Sequence, residues 1–350
     1  MNLGNIQQSN DDFYDISIAN TDKDAAYYSL FIGIRAYFTT YHNVAMNLRR
    51  FQKDDERRIN DAAQENNNYI ESYINIAIHI QHFFELEIKR ILEDKHILFA
   101  VDSKGDPLIT YKLLHNKELQ HEDTEKLKSI EFSDALSRLK KLVQNNIIND
   151  DVAKIFVAHE QLLKVINFLR NTTLHRGRRL MKYCSLDRLF AQNLLPFINE
   201  IMNQPYYALF KRSYDKSGIY EIIDKIILEG KKDALDYTQI ALLKEIGRCK
   251  LKLDSLPKLD ETKDKEHIEK IIEKKMLYSG NDVAKIETKC PCCQYNTIFE
   301  GRELVGVDIE ELGDEMGNGA GFRVIHVPDY EDYFECAWCG FKISTFVDIE

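Results

Sequence analysis

Across most of the first 255 residues, large apolar side chains recur three and four positions apart, the spacing of helices that bury one stripe. Residues 24–52 (AAYYSLFIGIRAYFTTYHNVAMNLRRFQ from residue 25) contain no proline and predict a long buried helix. A polar break over 53–68 follows. A second helix is expected over 69–98, carrying Tyr73, Ile74, Ala77, Ile78, Phe84, Ile88, Ile91 and Leu92. Asp102 to Pro107 is turn chemistry, and 109–114 reads as a strand or short extended segment. A third helix is expected to start after Ser133 as N-cap. A fourth spans 152–175 with Ile155, Leu162, Ile166 and Leu169 on one stripe, closed by Gly177. A fifth covers 186–202, and two more fall at 219–228 and 234–253. The charged run KLDETKDKEHIEKIIEKK reads as a solvated linker with helical tendency. Beyond about residue 283, glycine-containing turns such as GNGAG mark a change to β structure. No internal repeat is visible.

The expected organisation is an N-terminal tail over 1–23, a helical domain over 24–205 and additional helices over 206–256. A charged linker over 257–282 and a small acidic β-rich module over 283–350 complete it. The fold class expected is thus a mainly α helical bundle followed by a small β-rich domain. With 350 residues the chain is long enough to bury a core without staples. No apolar run reaches membrane-spanning length, and the N-terminus has no basic-then-apolar leader pattern, so a cytoplasmic protein is expected.

Charge sharpens this picture. The net charge is −10, and residues 291–350 hold 13 acidic and 3 basic side chains, which places the whole excess in the C-terminal module. Indiscriminate coating of nucleic acid is therefore excluded, since such binding scales with the phosphates neutralised.

Seven cysteines need an explanation in a chain with no secretion signal. Cys290-x-x-Cys293 and Cys336-x-x-Cys339 are two thiolate hooks, the ligand set of a tetrahedral zinc site. Pro291 stiffens the first turn. Gly340 follows the second, where a positive φ is often required. The 42-residue spacer is longer than zinc ribbons usually have, and an extra hairpin over 303–323 would absorb it. Four thiolates make a closed, structural Zn2+ site rather than a catalytic one. Cys292 is either a spare thiol or a replacement for Cys290 or Cys293. Cys184 and Cys249 read as ordinary buried thiols.

Three Arg/His pairs have four to six residues between their members: Arg35/His42, Arg90/His96 and Arg170/His175. Only the third has Asn (Asn171) directly after Arg, sits late on a long amphipathic helix, and is followed by glycine and a basic run. On an ideal helix Asn171 and His175 are about 40° apart, whereas Arg170 and His175 are about 140° apart. Asn171 is thus the natural orienter of His175, and the helix must loosen before Gly177, or a second protomer must contribute, for Arg170 to join them. Arg176, Arg178, Arg179 and Lys182 follow without an acid until Asp187, enough to track an RNA backbone locally, or simply a solvated helix end. His79, His82 and Glu85, three apart on the second helix, are a further metal candidate, and Glu85 or His82 could instead be a polar residue pointing at the Arg-His cleft. No phosphate-cradling glycine loop or serine nucleophile elbow is present.

The stretch Arg170-Asn171-Thr172-Thr173-Leu174-His175 at the end of a core helix, and the order of helices before it, resemble the HEPN family over about 24–205. That resemblance implies an all-helical domain and a metal-independent endoribonuclease in which Arg170, Asn171 and His175 are catalytic. It also implies RNA, tRNA among others, as substrate, a homodimer in which two motifs face one another, and a setting in bacterial toxins or anti-phage defence. The 2′-hydroxyl of RNA would serve as internal nucleophile, giving a 2′,3′-cyclic phosphate. The ribbon's acidity opposes direct RNA binding and leaves two roles open, contact with a protein partner or masking of the basic site around Arg176–Lys182 until a trigger displaces it. The alternative is a non-catalytic dimeric sensor or adaptor whose ribbon binds protein. A zinc-ribbon transcription factor is opposed by the ribbon's acidity.

Overall fold

The computed structural model describes residues 24–48, 56–103, 105–115, 117–120, 123, 126–176, 179–215, 218–253, 255–256, 265–279, 284–286, 288–312 and 323–344. The protein is mostly helical, about 71%, with a small antiparallel sheet near the C-terminus and a cysteine cluster. Among the described residues no helix is long and apolar enough to cross a membrane. The tail over 1–23, Gly177, Arg178, the GNGAG turn and most of the linker before residue 265 lie outside the described residues.

The chain divides into two compact units. One comprises residues 1–36, 74–179 and 196–213, the other 37–73, 180–195 and 214–350.

The first unit contains the start of α1 (Ala25–Leu48) and most of α3 (Asn67–Lys95), while α2 (Glu56–Gln64) between them belongs to the second. It also contains α4 (Pro107–Leu114), α5 (Phe132–Gln144), α6 (Asp151–Ala158) and α7 (Glu160–Asn171). Two-residue strands β1 (Val101–Asp102) and β2 (Lys128–Ser129), which flank α4 in the chain, pair antiparallel. The core of this unit is aromatic: Phe84 stacks on Phe197 at 5.0 Å and meets Phe156 edge-on at 6.0 Å. Gly33 of α1 lies so close to Ile80 of α3 that a methyl group there would sit 2.7 Å from the isoleucine. The buried Glu87 carboxylate is held by Arg90 at 2.9 Å and by the Tyr207 hydroxyl, and Arg90 stacks over Tyr206.

The second unit contains α2, α8 (Tyr183–Leu189), α11 (Ile219–Gly230), α12 (Tyr237–Leu253) and α13 (Lys265–Ser279). Helix α9 (Leu195–Met202) is divided between the units, and α10 (Ala208–Asp215) likewise. The sheet has the order β3 (Ala284–Lys285), β4 (Ile298–Leu312), β5 (Arg323–Cys336), β6 (Lys342–Ser344), all antiparallel. β4 and β5 pair from Ile298↔Cys336 out to Leu312↔Arg323, with a bulge at Leu304/Gly306. Most of the long spacer between the cysteine hooks is therefore strand, in β4 and β5, with residues 313–322 outside the described residues. Ile268 and Ile272 of α13, one turn apart, pack on Phe299 and Tyr333 of this sheet.

Several local expectations change. Residues 109–114 are helical, not extended: Pro107 takes the first helical position, where its missing N–H costs nothing, and the Asp106 side chain accepts from the backbone N–H of Leu108 and Ile109. α5 begins at Phe132 with Glu131 at the cap, so Ser133 lies inside the helix. The polar break contains α2, which buries Ile59 and Ala63, four apart. The predicted fourth helix is two, broken at His159, whose backbone leaves the helical region (φ −96°, ψ 21°). The break rotates the buried stripe, which runs Val152, Ala153, Phe156 and then Leu163, Ile166 instead of through Leu162 and Leu169.

Candidate functional site

Among the described residues, two of the candidate constellations lie one in each unit. In the first unit, α7 ends in a wide i→i+5 turn over Thr172–Arg176. The cause is local. Thr172 Oγ1 donates to the carbonyls of Phe168 and Leu169 at 2.9 and 3.0 Å, and Thr173 Oγ1 donates to Leu169 O at 2.7 Å. Threonine back-bonding of this kind competes with the α-helical ladder and bends it. Wide turns of this type often mark functional sites. The wider winding brings the backbone at His175 nearer the face of Arg170 than an ideal α-helix would.

At the base of this turn Arg170 Nη1 donates to Asn171 Oδ1 at 2.9 Å, so the amide oxygen of Asn171 is engaged by the guanidinium. The side chains of His175 and Arg176 lie outside the described residues, as does Arg178. Arg179 and Lys182 are exposed, Arg179 in the first unit and Lys182 in the second. Around the tip Val165, Phe168 and Leu174 are exposed apolar residues, Phe168 to 51%.

A cavity of about 360 Å³ lies between α5 and α7. Lys140, Lys141 and Gln144 line it from α5; Glu160, Lys164 and Asn167 line it from α7. The α7 residues are four and three apart, so they share one face of the helix, and the next position on that stripe is Asn171. Glu160 accepts from Lys140 and from Lys164, each at 2.7 Å. Those two hydrogen bonds hold its carboxyl below the usual range.

The rival Arg/His pairs have structural partners. Arg90 is bound to Glu87, and His96 caps a short 3-10 turn by accepting from Leu98 N. Arg35 lies over the Phe31 ring, and His42 lies 3.5 Å from Glu245. His82 bonds Ser29 Oγ at 2.8 Å and Glu85 bonds Lys89 and Gln81, so His79, His82 and Glu85 form no cluster. His79 Nδ1 is buried with no hydrogen-bond partner, and burial pulls its pKa down.

In the second unit the sulfurs of Cys290, Cys293, Cys336 and Cys339 lie within 4.8 Å of one another. Cys290 and Cys339 are 3.5 Å apart, Cys293 and Cys336 3.6 Å. Zn–S bonds of about 2.3 Å set tetrahedral sulfurs about 3.8 Å apart, so the four could bind a metal ion. In each hook a backbone N–H donates to the first cysteine's sulfur, from two residues on in the first hook and three in the second. Cys292 N donates to Cys290 Sγ and Cys339 N to Cys336 Sγ, each at 3.4 Å. A left-handed residue follows each hook, Gln294 (φ 64°) and Gly340 (φ 69°). Thr297, fully buried, places Oγ1 3.0 Å from Cys336 Sγ.

The hooks are held by α12. Arg248 forms a fork with Glu245, Nε to Oε2 at 2.8 Å and Nη2 to Oε1 at 2.5 Å. Its Nη2 also donates to Gly340 O at 2.6 Å, and Lys342 N donates to Glu245 Oε1 at 3.0 Å. Nothing in the local sequence pattern marks Arg248 or Glu245 for this task. Cys249, read as an ordinary core thiol, lies within 4.8 Å of Cys292 and Cys339. Cys184 is a buried thiol whose pKa burial and Asp187 push up to about 12. No family model, curated protein or solved structure matches this chain.

Proposed function

We propose that the protein is a metal-independent endoribonuclease of HEPN type, in which Arg170, Asn171 and His175 act at the tip of α7. The observation that carries this reading is the Arg170–Asn171 hydrogen bond at the base of a wide turn that also contains His175. The RNA 2′-hydroxyl attacks the adjacent phosphorus, its proton passing to a base, and the 5′-oxygen leaves after taking a proton. His175 is the proton carrier, the role imidazole most often takes in general acid–base catalysis. Arg170 donates a fork to the phosphoryl oxygens as charge builds there, and Asn171 fixes the guanidinium. The products are a 2′,3′-cyclic phosphate and a 5′-hydroxyl.

The lysine-lined cavity beside α7 and the basic run Arg176, Arg178, Arg179 and Lys182 supply phosphate contacts. Exposed Val165, Phe168 and Leu174 beside the tip favour a homodimer in which two tips face one another. The setting is a cytoplasmic toxin or anti-phage system, with RNA, including tRNA, as the substrate class. The four cysteines hold a structural Zn2+ as a closed ribbon, contributing on the order of 10 kcal/mol to the folding of the sheet.

Arg170→Ala and His175→Ala test the reading. Both variants lose RNA cleavage while keeping wild-type helicity and mass in solution. Undiminished cleavage in either, or a wild-type protein that binds a protein partner and leaves RNA intact, favours the adaptor instead.

A further inference from the structure

Beyond the four-cysteine site, we infer that Cys249 and Cys292 bind a second thiophilic divalent ion together with Cys339, which bridges the two ions. This rests on the ribbon reading above. Cys249, Cys292 and Cys339 have their sulfurs within 4.8 Å of one another and are buried to 0%, 5% and 6% exposure. Thiols in a packed core are common. Here, however, all six sulfurs outside Cys184 gather at one point from three separate segments, and one of them belongs to both groups.

Arg248 Nη2 lies 3.3 Å from Cys249 Sγ, so a fixed positive charge faces the sulfur. Three sulfurs leave a fourth position, and the oxygens of α12 border it. Ile246 O is 3.8 Å from Cys292 Sγ, and Glu245 Oε1 is 3.9 Å from Cys249 Sγ. An ion with Zn–S bonds of about 2.3 Å and a Zn–O bond of about 2.1 Å sets sulfur and oxygen about 3.6 Å apart, close to both separations.

Charge also balances. Uptake follows 2 RSH + M2+ → M(SR)2 + 2 H+, with the protons leaving Cys249 and Cys292. Two divalent ions with six thiolates carry the same net charge as one ion with four. The second ion therefore adds no uncompensated charge to the buried cluster, and Arg248 offsets part of what is there. A consequence for architecture follows: the ion ties α12 covalently to the first hook, reinforcing the Arg248–Gly340 hydrogen bond.

The test is the metal content of the full-length chain, purified with Zn2+ present, dialysed against zinc-free buffer and weighed by native mass spectrometry. Wild type is expected to carry two zinc ions per chain, Cys249→Ser and Cys292→Ser one each, and Cys184→Ser two. A single ion in wild type overturns the second site and leaves the four-cysteine ribbon standing. No ion in wild type overturns both. Two ions retained in Cys249→Ser and Cys292→Ser also overturn the assignment of these ligands.

Discussion

Lys244 Nζ lies 2.7 Å from Asp187 Oδ1 in the core of the second unit, and neither side chain has any exposure. The ammonium also bonds the Tyr183 hydroxyl at 2.9 Å and sits over the Tyr183 and Tyr37 rings. Burial drives the Asp187 pKa up and that of Lys244 down, so each charge is tolerated only because the other faces it. Removing one partner leaves the other stranded. Lys244→Met should destabilise the protein by about 3–5 kcal/mol, read as a lower urea midpoint. The double variant Lys244→Met/Asp187→Asn should recover part of that loss; a double variant no more stable than the single would contradict the pairing.

Metal removal should act on the sheet and leave the helices of the first unit largely intact. Treatment with a strong chelator should expose Cys290, Cys293, Cys336 and Cys339 to alkylation, while Cys184 stays protected. Uniform protection of all seven thiols after chelation would mean that packing alone, not metal, holds the hooks.

The cysteine hooks are legible in the sequence because their ligands come in pairs at short spacing, and Gly340 announces the left-handed turn that the second hook adopts. The partners on α12 are not, because Glu245, Arg248 and Cys249 lie more than 40 residues before Cys290 and nothing local links them. Most long helices follow from apolar spacing. α4 escapes such a reading because Pro107 looks like a breaker, although with Asp106 before it a proline is well placed to open a helix. Thr172 and Thr173 are the local cause of the wide turn, a loosening that no periodicity reveals.

Acid should weaken the first unit through Glu85. Burial pushes its carboxyl up, but hydrogen bonds from Lys89 and Gln81 and the Lys89 charge outweigh this, so it titrates below its ordinary 4.5. A depressed folded pKa gives stability that is complete above the unfolded value and is lost as pH falls through the folded one. Stability should therefore decline below about pH 4.5, and Glu85→Gln should flatten that decline. Identical acid profiles for the variant and wild type would show that Glu85 contributes nothing.

RNA affinity should depend on the cavity beside α7. Replacing Lys140 and Lys164 by Ala should weaken binding and make it less sensitive to salt, with the slope of log K against log salt falling by about 0.7 for each phosphate no longer neutralised. Glu160→Gln, which frees both lysines from their carboxylate, should strengthen binding. Filter binding across a salt series reads both, and parallel slopes for all three proteins would place the RNA elsewhere.

The proposed nuclease chemistry is tested most directly by the ends it leaves. Incubated with total RNA in the presence of EDTA, the protein should generate fragments with 2′,3′-cyclic phosphate and 5′-hydroxyl termini, and Arg170→Ala and His175→Ala should generate none. Intact RNA, or fragments ending in 3′-hydroxyl and 5′-phosphate, would contradict the account.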